Sequence, residues 1–172
     1  MSLVDFYCIH NRDNLFRYTR IYWQLVSFYL DKYQINDSFD FRGDHLGLQV
    51  LSVEEFDQCH EIFLEYSSLI NKDIIHQRRN NIYKFNMPLK LDNISIPKIE
   101  IFEPKPDANL GKLRPGIEHI SLKVNNYQKL LQVSRDKGVP IDKAKEINGS
   151  RFFKTQFING VEIEFRNDGL GE

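Results

Sequence analysis

The sequence predicts an α+β fold in which an N-terminal helical extension precedes two pseudo-symmetric βαβββ modules, and three observations carry that prediction. A seven-residue pattern of acid, histidine, aliphatic, tiny, leucine, long polar and valine occurs twice, as Asp44-His45-Leu46-Gly47-Leu48-Gln49-Val50 and as Glu118-His119-Ile120-Ser121-Leu122-Lys123-Val124. Each copy is followed by a helical stripe and then by strand-like segments. A strand late in each half also has a twin, Ile99-Glu100-Ile101-Phe102 beside Ile163-Glu164-Phe165-Arg166. Self-similarity of this kind marks a duplicated unit.

The elements follow in order. Residues 1–40 form the extension, where Leu15, Tyr18, Tyr22, Leu25, Val26, Tyr29 and Tyr33 recur at helical spacing. Phe16, Ile21, Trp23 and Phe28 widen that face, so the helix is expected to pack against the rest of the fold. Residues 34–43 read as a polar linker into the first module, 41–104. Its first strand alternates, with Leu46, Leu48 and Val50 on one face and His45, Gly47 and Gln49 on the other. Ser52-Val53-Glu54-Glu55 is a capping box that starts a helix. Phe56, Cys59, Phe63 and Tyr66 line its packed side, making Cys59 a core thiol and His60 a surface residue. The basic, polar stretch 76–81 reads as a solvated loop, the alternative being contact with a phosphate or carboxylate of a ligand. Strands are expected over 81–87, near Ile94 and Ile96, and over 98–102.

Residues 105–116 carry several prolines and read as the linker between modules. In the second module, 117–168, Asn125 or Asn126 caps a helix packed through Tyr127, Leu130, Leu131 and Ser134, and Gly138 then Pro140 stop it. Strands over 151–158 and 161–165 are expected to join through Asn159-Gly160 as a two-residue hairpin. The whole chain, 1–172, reads as a single domain.

Composition narrows the function classes. A content of 41% hydrophobic and 13% aromatic residues supports a packed core. With 23 basic and 24 acidic residues the net charge is -1, so no bulk field points to nucleic acid or to an anionic membrane. Cys8 and Cys59 have no C-x-x-C or zinc-finger spacing, which points to a reduced compartment. No apolar run of membrane-spanning length and no leader pattern appears, so a cytoplasmic protein is expected.

The chemistry lies in the repeated histidines and glutamates. Period-two alternation sets Glu100 opposite Ile99 and Ile101, and Glu164 opposite Ile163 and Phe165. His45, Glu100, His119 and Glu164 are therefore expected on one concave surface. Two imidazoles and two carboxylates suit a divalent transition metal such as zinc, nickel, cobalt, manganese or iron. Four protein ligands leave two positions of an octahedron for water or a chelating substrate, and a ligand carboxylate that loosens moves protons, which makes Glu164 and Glu100 the candidate catalytic groups. Glu103 competes with Glu100 if a bulge changes its face. Glu162 shares parity with Glu164, as a cavity group or as a surface carboxylate. Gln49, Lys123 and Lys154 are cavity residues by parity, Lys123 either paired with Glu162 or at the rim. There is no glycine-rich phosphate loop and no Ser-His-Asp or Cys-His spacing.

These motifs, with "KIEIFEP" at 98–104 and "NGVEIEF" at 159–165, resemble the vicinal oxygen chelate superfamily, to which glyoxalase I, methylmalonyl-CoA epimerase, extradiol dioxygenases and fosfomycin-resistance enzymes belong. The aromatic N-terminal helix before "GDHLGLQV" and the "PGIEHISLKV" start of the second half resemble its YecM-like group of metal-binding proteins. The resemblance implies a cupped, barrel-like mixed sheet and a divalent metal held by His45, Glu100, His119 and Glu164. It further implies a metal-dependent isomerase, epimerase or lyase of glyoxalase type acting on a small oxygen-rich substrate. The alternatives are a non-catalytic binding or sensor module of the same fold and a metal-dependent dioxygenase. The additional N-terminal helix favours a monomer, with a homodimer of exchanged modules as the alternative.

Overall fold

In a computed structural model, the structure describes residues 11–75, 77–106, 115–142, 144–147, 149–157 and 159–170. Helix α1 (Arg12–Lys32) begins where the Asn11 side chain accepts from the Asn14 amide at 2.9 Å, and it buries Leu15, Thr19, Tyr22, Trp23, Val26 and Leu30 along one face. The first half continues with β1 (Phe41–Gln49), α2 (Val53–Leu64), β2 (Ser67–Ile75), β3 (Arg78–Leu91) and β4 (Ile94–Phe102). The second half repeats the order with β5 (Gly116–Val124), α3 (Tyr127–Asp136), β6 (Lys145–Ile147), β7 (Ser150–Gln156) and β8 (Glu162–Arg166).

The helix caps form where the sequence places them. Ser52 Oγ accepts from the Glu55 amide at 3.1 Å, while Glu55 reaches back to the Leu51 amide at 2.6 Å, one residue beyond the expected partner. Asn126 caps α3 by accepting from the Lys129 amide at 3.2 Å.

All eight strands join one sheet in the order β2-β3-β4-β1-β5-β8-β7-β6. Each half contributes the same series, 2-3-4-1 and, reversed, 6-7-8-5. Strand β1 runs parallel to β4 and β5 parallel to β8, while β1 and β5 pair antiparallel at the centre. A pseudo-twofold relation thus passes between β1 and β5. The edge strands β2 and β6 do not pair with each other, so the sheet stays open.

One face of this sheet is the core. Leu46 and Leu48 of β1, Ile99 and Ile101 of β4, Ile120 and Leu122 of β5, and Ile163 and Phe165 of β8 share a cluster with Trp23, Val26, Phe56, Phe63 and Leu130 from the three helices. Each such side chain contributes about 1.5–3 kcal/mol on burial. A one-residue slip of any central strand would turn its whole set away from the helices, which fixes the register and commits the alternate residues to the opposite face.

Several expectations are corrected. Strand β2 was not anticipated, and within stretch 76–81 residues 78–81 are not a solvated loop, because β3 begins at Arg78 and buries Asn80 and Asn81, while His76 lies outside the described residues. The segments around Ile94 and over 98–102 are one strand, β4. Pro97 sits within it at a position paired with neither neighbour, where the β3 register jumps between Lys84 and Leu89, so its missing amide costs no ladder bond. The last hairpin closes where the Phe157 amide donates to the Val161 carbonyl at 3.0 Å, four positions apart and not three, with Gly160 at φ 80°. His60 is half-buried and bonded through Nδ1 to the Tyr83 hydroxyl at 2.6 Å. Cys8, most of linker 105–116 and Ile158 lie outside the described residues. Among the described residues no helix is long and apolar enough to cross a membrane.

Candidate metal centre

Strands β1 and β5 each carry one bulge, and each bulge falls on the acid before the histidine. The β1–β5 ladder pairs Gly43 with Leu122 and then His45 with Ser121, skipping Asp44; further along it pairs Gly47 with His119 and then Leu48 with Ile117, skipping Glu118. Consecutive strand residues ordinarily point to opposite faces, but a bulge re-aims the extra one. Here each acid comes to the Nδ1 edge of its own histidine, Asp44 Oδ2 at 2.7 Å from His45 and Glu118 Oε2 at 3.0 Å from His119.

With Nδ1–H donated to the carboxylates, both Nε2 lone pairs are available on the other edge. They face each other at 3.1 Å, with the rings edge-on at 86°. Glu100 Oε2 lies 3.5 Å from His45 Nε2, and one donor atom from each of His45, Glu100 and His119 lies within 4.8 Å of the other two. Glu164 Oε1 adjoins this group at 3.7 Å from His45 Nε2. Glu164 is also engaged elsewhere, with Arg166 Nη1 at 3.2 Å, Ser121 Oγ at 3.1 Å and Lys154 Nζ at 4.0 Å. Glu100, by contrast, accepts from the Asn80 amide at 2.8 Å.

Gly47 makes the approach of the two rings possible. A Cβ at this position would lie 2.1 Å from His119 Cε1 and 2.4 Å from Nδ1, so only a glycine lets the imidazole cross β1 here. Ser121, its counterpart in the repeat, has a side chain and uses it to bind Glu164.

The site is buried and highly charged. His45 is 0% and His119 1% exposed, with Glu100 at 7% and Glu164 at 4%. Burial alone would raise the Asp44 carboxyl, but the His45 hydrogen bond and charge, Lys98 at 3.1 Å and the Leu170 amide at 3.0 Å hold it far below the carboxylate range. Glu118 is depressed in the same way, against its burial, by His119 and Lys154. Burial and the Lys154 ammonium push the His119 imidazole below its ordinary value, against the pull of Glu118 and Glu164. Glu164 is held down to about 2, again against burial, by His119, His45, Lys154 and Arg166.

These donors fit a divalent ion. Two ligands held at about 2.1 Å and about a right angle apart are about 3.0 Å from each other, the separation the two imidazoles already have. Two lone pairs converging at this distance call for a cation or a shared proton between them. Lys154 approaches His119 at 3.2 Å from the Nδ1 edge and so leaves the Nε2 edge clear.

The family described as YecM protein is matched over residues 11–166. The chain belongs to the YecM family. Among solved structures, one described as Protein EC4020 is 16% identical with a TM-score of 0.64, covering 83% of this YecM-family chain and 81% of its own length. Methylmalonyl-CoA epimerase from Mycobacterium tuberculosis is 19% identical with a TM-score of 0.54, covering 72% of this chain and 85% of its own. The chain shares its fold with these two structures. No curated protein matches the sequence.

Of the site residues expected from sequence, this YecM-family chain brings His45, Glu100 and His119 into one group and sets Glu164 beside it. Glu103 is elsewhere, bound through its carboxylate to Arg79 Nε at 2.5 Å and to the Arg79 amide at 2.8 Å, so it does not compete with Glu100. Glu162 accepts from Gln156 at 3.1 Å. Lys154 does reach the site, whereas Lys123 is half-buried on β5 opposite Arg42 and Arg166. The roles of Asp44, Glu118, Asn80 and Arg166 were missed. The acid before each histidine was visible, but strict alternation sends it to the wrong face. Arg166 shares parity with Glu164, two residues away, and that signal would have found it.

Proposed function

We propose that the cup holds one divalent transition metal on His45, Glu100, His119 and Glu164. We further propose that this YecM-family chain is a metal-dependent isomerase, epimerase or lyase acting on a small oxygen-rich substrate. The observation that carries this reading is the convergence of two imidazole Nε2 atoms at 3.1 Å with the Glu100 carboxylate beside them, each imidazole backed by its own acid. A carboxylate behind a ligating imidazole fixes the tautomer and raises its basicity. An epimerase among the structures of this fold supports chemistry beside a carbonyl.

When bound there, a divalent ion supplies Lewis acidity that polarises a carbonyl or stabilises an enolate. The chain's own residues divide the remaining work. Asp44 and Glu118 orient the imidazoles. His119, His45, Lys154 and Arg166 together keep Glu164 ionised, which suits a permanent ligand and makes it a weak proton acceptor. Glu100 has a neutral amide partner in Asn80 and is the carboxylate placed to take and return a proton at its Oε atoms. The depth of the donors favours one other reading, a non-catalytic module that sequesters its ion.

Elemental analysis of the purified protein beside a His45→Ala, His119→Ala double variant tests the metal. One ion per chain in the parent and none in the variant is expected; a parent that stays metal-free after incubation with zinc, nickel, cobalt, manganese and iron overturns the reading. An exchangeable water on the bound ion separates a reactive centre from a sequestering one.

A further inference from the structure

Five buried side-chain polar atoms among the described residues have no hydrogen-bond partner, and three of them belong to residues flanking the cup: Arg78 Nε, Asn80 Oδ1 and Arg166 Nε. Buried groups left in this state cost free energy and call for an explanation. Arg78 and Asn80 are two apart on β3 and so share a face, and the bond from Asn80 to Glu100 identifies that face as the one bearing the metal donors.

Arg78 differs from the neighbouring guanidiniums. Arg166 is paired with Glu164 and Asp168, and Arg79 with Asp57 and Glu103. Among the described residues the acceptors of Arg78 are neutral, Gln49 Oε1 at 3.3 Å and the Glu103 backbone carbonyl at 3.4 Å. Among the described residues no carboxylate is within ion-pair reach of it. Its guanidinium lies over the Phe102 ring at 4.5 Å, and that ring is 6.4 Å from the ring of His119. A positive charge stacked on an aromatic face, neutralised by no side chain among the described residues and one ring away from the candidate metal ligands, is built to receive an oxyanion. The flat fork of a guanidinium matches a carboxylate or a phosphate.

We propose that Arg78 is the anion-recognition residue of the cup, binding a carboxylate or phosphate on the substrate, with Asn80 Oδ1 accepting from a hydroxyl of the same molecule. The substrate is then a small anionic acid whose reacting oxygens face the metal donors. The placement of those reacting oxygens rests on the metal reading above; the anion contact does not.

The test is a titration of the metal-free protein, after chelator treatment, with inorganic phosphate and separately with propionate, following the Arg78 Nε–H resonance. One of the two anions is expected to shift that resonance, and which one names the group. Its dissociation constant should rise by at least about tenfold in Arg78→Gln and by less in Arg78→Lys, which keeps charge without the fork. The wild-type resonance reads the contact whether or not a variant folds. If neither anion moves it, or if Arg78→Gln binds as well as wild type, the proposal is overturned. Mn²⁺ affinity, measured in parallel, should be equal in wild type and Arg78→Gln. Anion binding at Arg78 without Mn²⁺ binding would sink the metal reading and leave this one standing, and Mn²⁺ binding with no Arg78-dependent anion would do the reverse.

Discussion

The two halves of the cup share one device and brace it differently. In both, a bulge turns an acid onto the Nδ1 edge of the following histidine. In the first half the acid, Asp44, is fastened by Lys98 and the Leu170 amide, and Lys98 also donates to the Leu170 carbonyl at 2.6 Å. In the second half the bulge is held by the N-terminal helix: the Tyr22 hydroxyl donates to the Glu118 carbonyl at 2.7 Å and accepts from the Glu162 amide at 2.7 Å. A segment near each end of the chain therefore supports one histidine. The glutamates diverge as well, Glu100 resting on a neutral amide and Glu164 on a guanidinium, a hydroxyl and a more distant ammonium. The acid–histidine pairing is thus common to both halves, while the charge around the two glutamates differs.

The sharpest break in this comparison is Gly47→Ala. Its methyl would occupy the space of the His119 ring, so metal affinity should fall by at least about 100-fold in a metal titration. Ser121→Ala, at the matching position, should bind metal nearly as wild type does and lose about 1 kcal/mol of stability. Next in size is the contrast between the glutamates' partners. Arg166→Gln leaves a buried carboxylate short of its guanidinium and should cost about 3 kcal/mol in urea unfolding of metal-free protein. Asn80→Ala, which removes a neutral donor, should cost about 1–2 kcal/mol.

Acid sharpens the same contrast. The lowered His119 stabilises the fold above its ordinary value of 6.5, and that contribution is lost as pH falls below it. Glu164 contributes fully above its ordinary value of 4.5 and loses the contribution as pH falls from there to about 2. Stability of the metal-free protein should thus decline below about pH 6.5 and more steeply below 4.5. Glu164→Gln should flatten the lower part of the curve. The smallest effect is expected from Tyr22→Phe, about 1 kcal/mol, with faster hydrogen exchange at the Glu162 amide and none at β1.

Much of this was legible in the residues. The repeated acid-histidine strands, the paired Ile-Glu strands and the caps at Ser52 and Asn126 follow period and capping chemistry, which are local. Strand β2 was not legible, because it is an edge strand whose sequence, SSLINKDII, is largely exposed and lacks alternation, and its turn into β3 passes through Gln77 at φ 61° without a glycine. Pro97 split β4 on paper because the register jump that accommodates it belongs to a different strand. At the site, His45, Glu100, His119 and Glu164 could be placed by parity, whereas Asp44 and Glu118 depend on bulges that arise from pairing between the two halves. The strand that carries Arg78 and Asn80 was hidden in a stretch that composition makes a loop, although contact with a phosphate or carboxylate was its alternative reading.

The central claim is that both imidazoles bind one ion. X-ray absorption at the metal edge of the loaded protein tests it directly. Two imidazole shells per ion in wild type, and one in either His45→Ala or His119→Ala at saturating metal, is the predicted result. An ion with no imidazole scattering, or a spectrum unchanged by both substitutions, would contradict it.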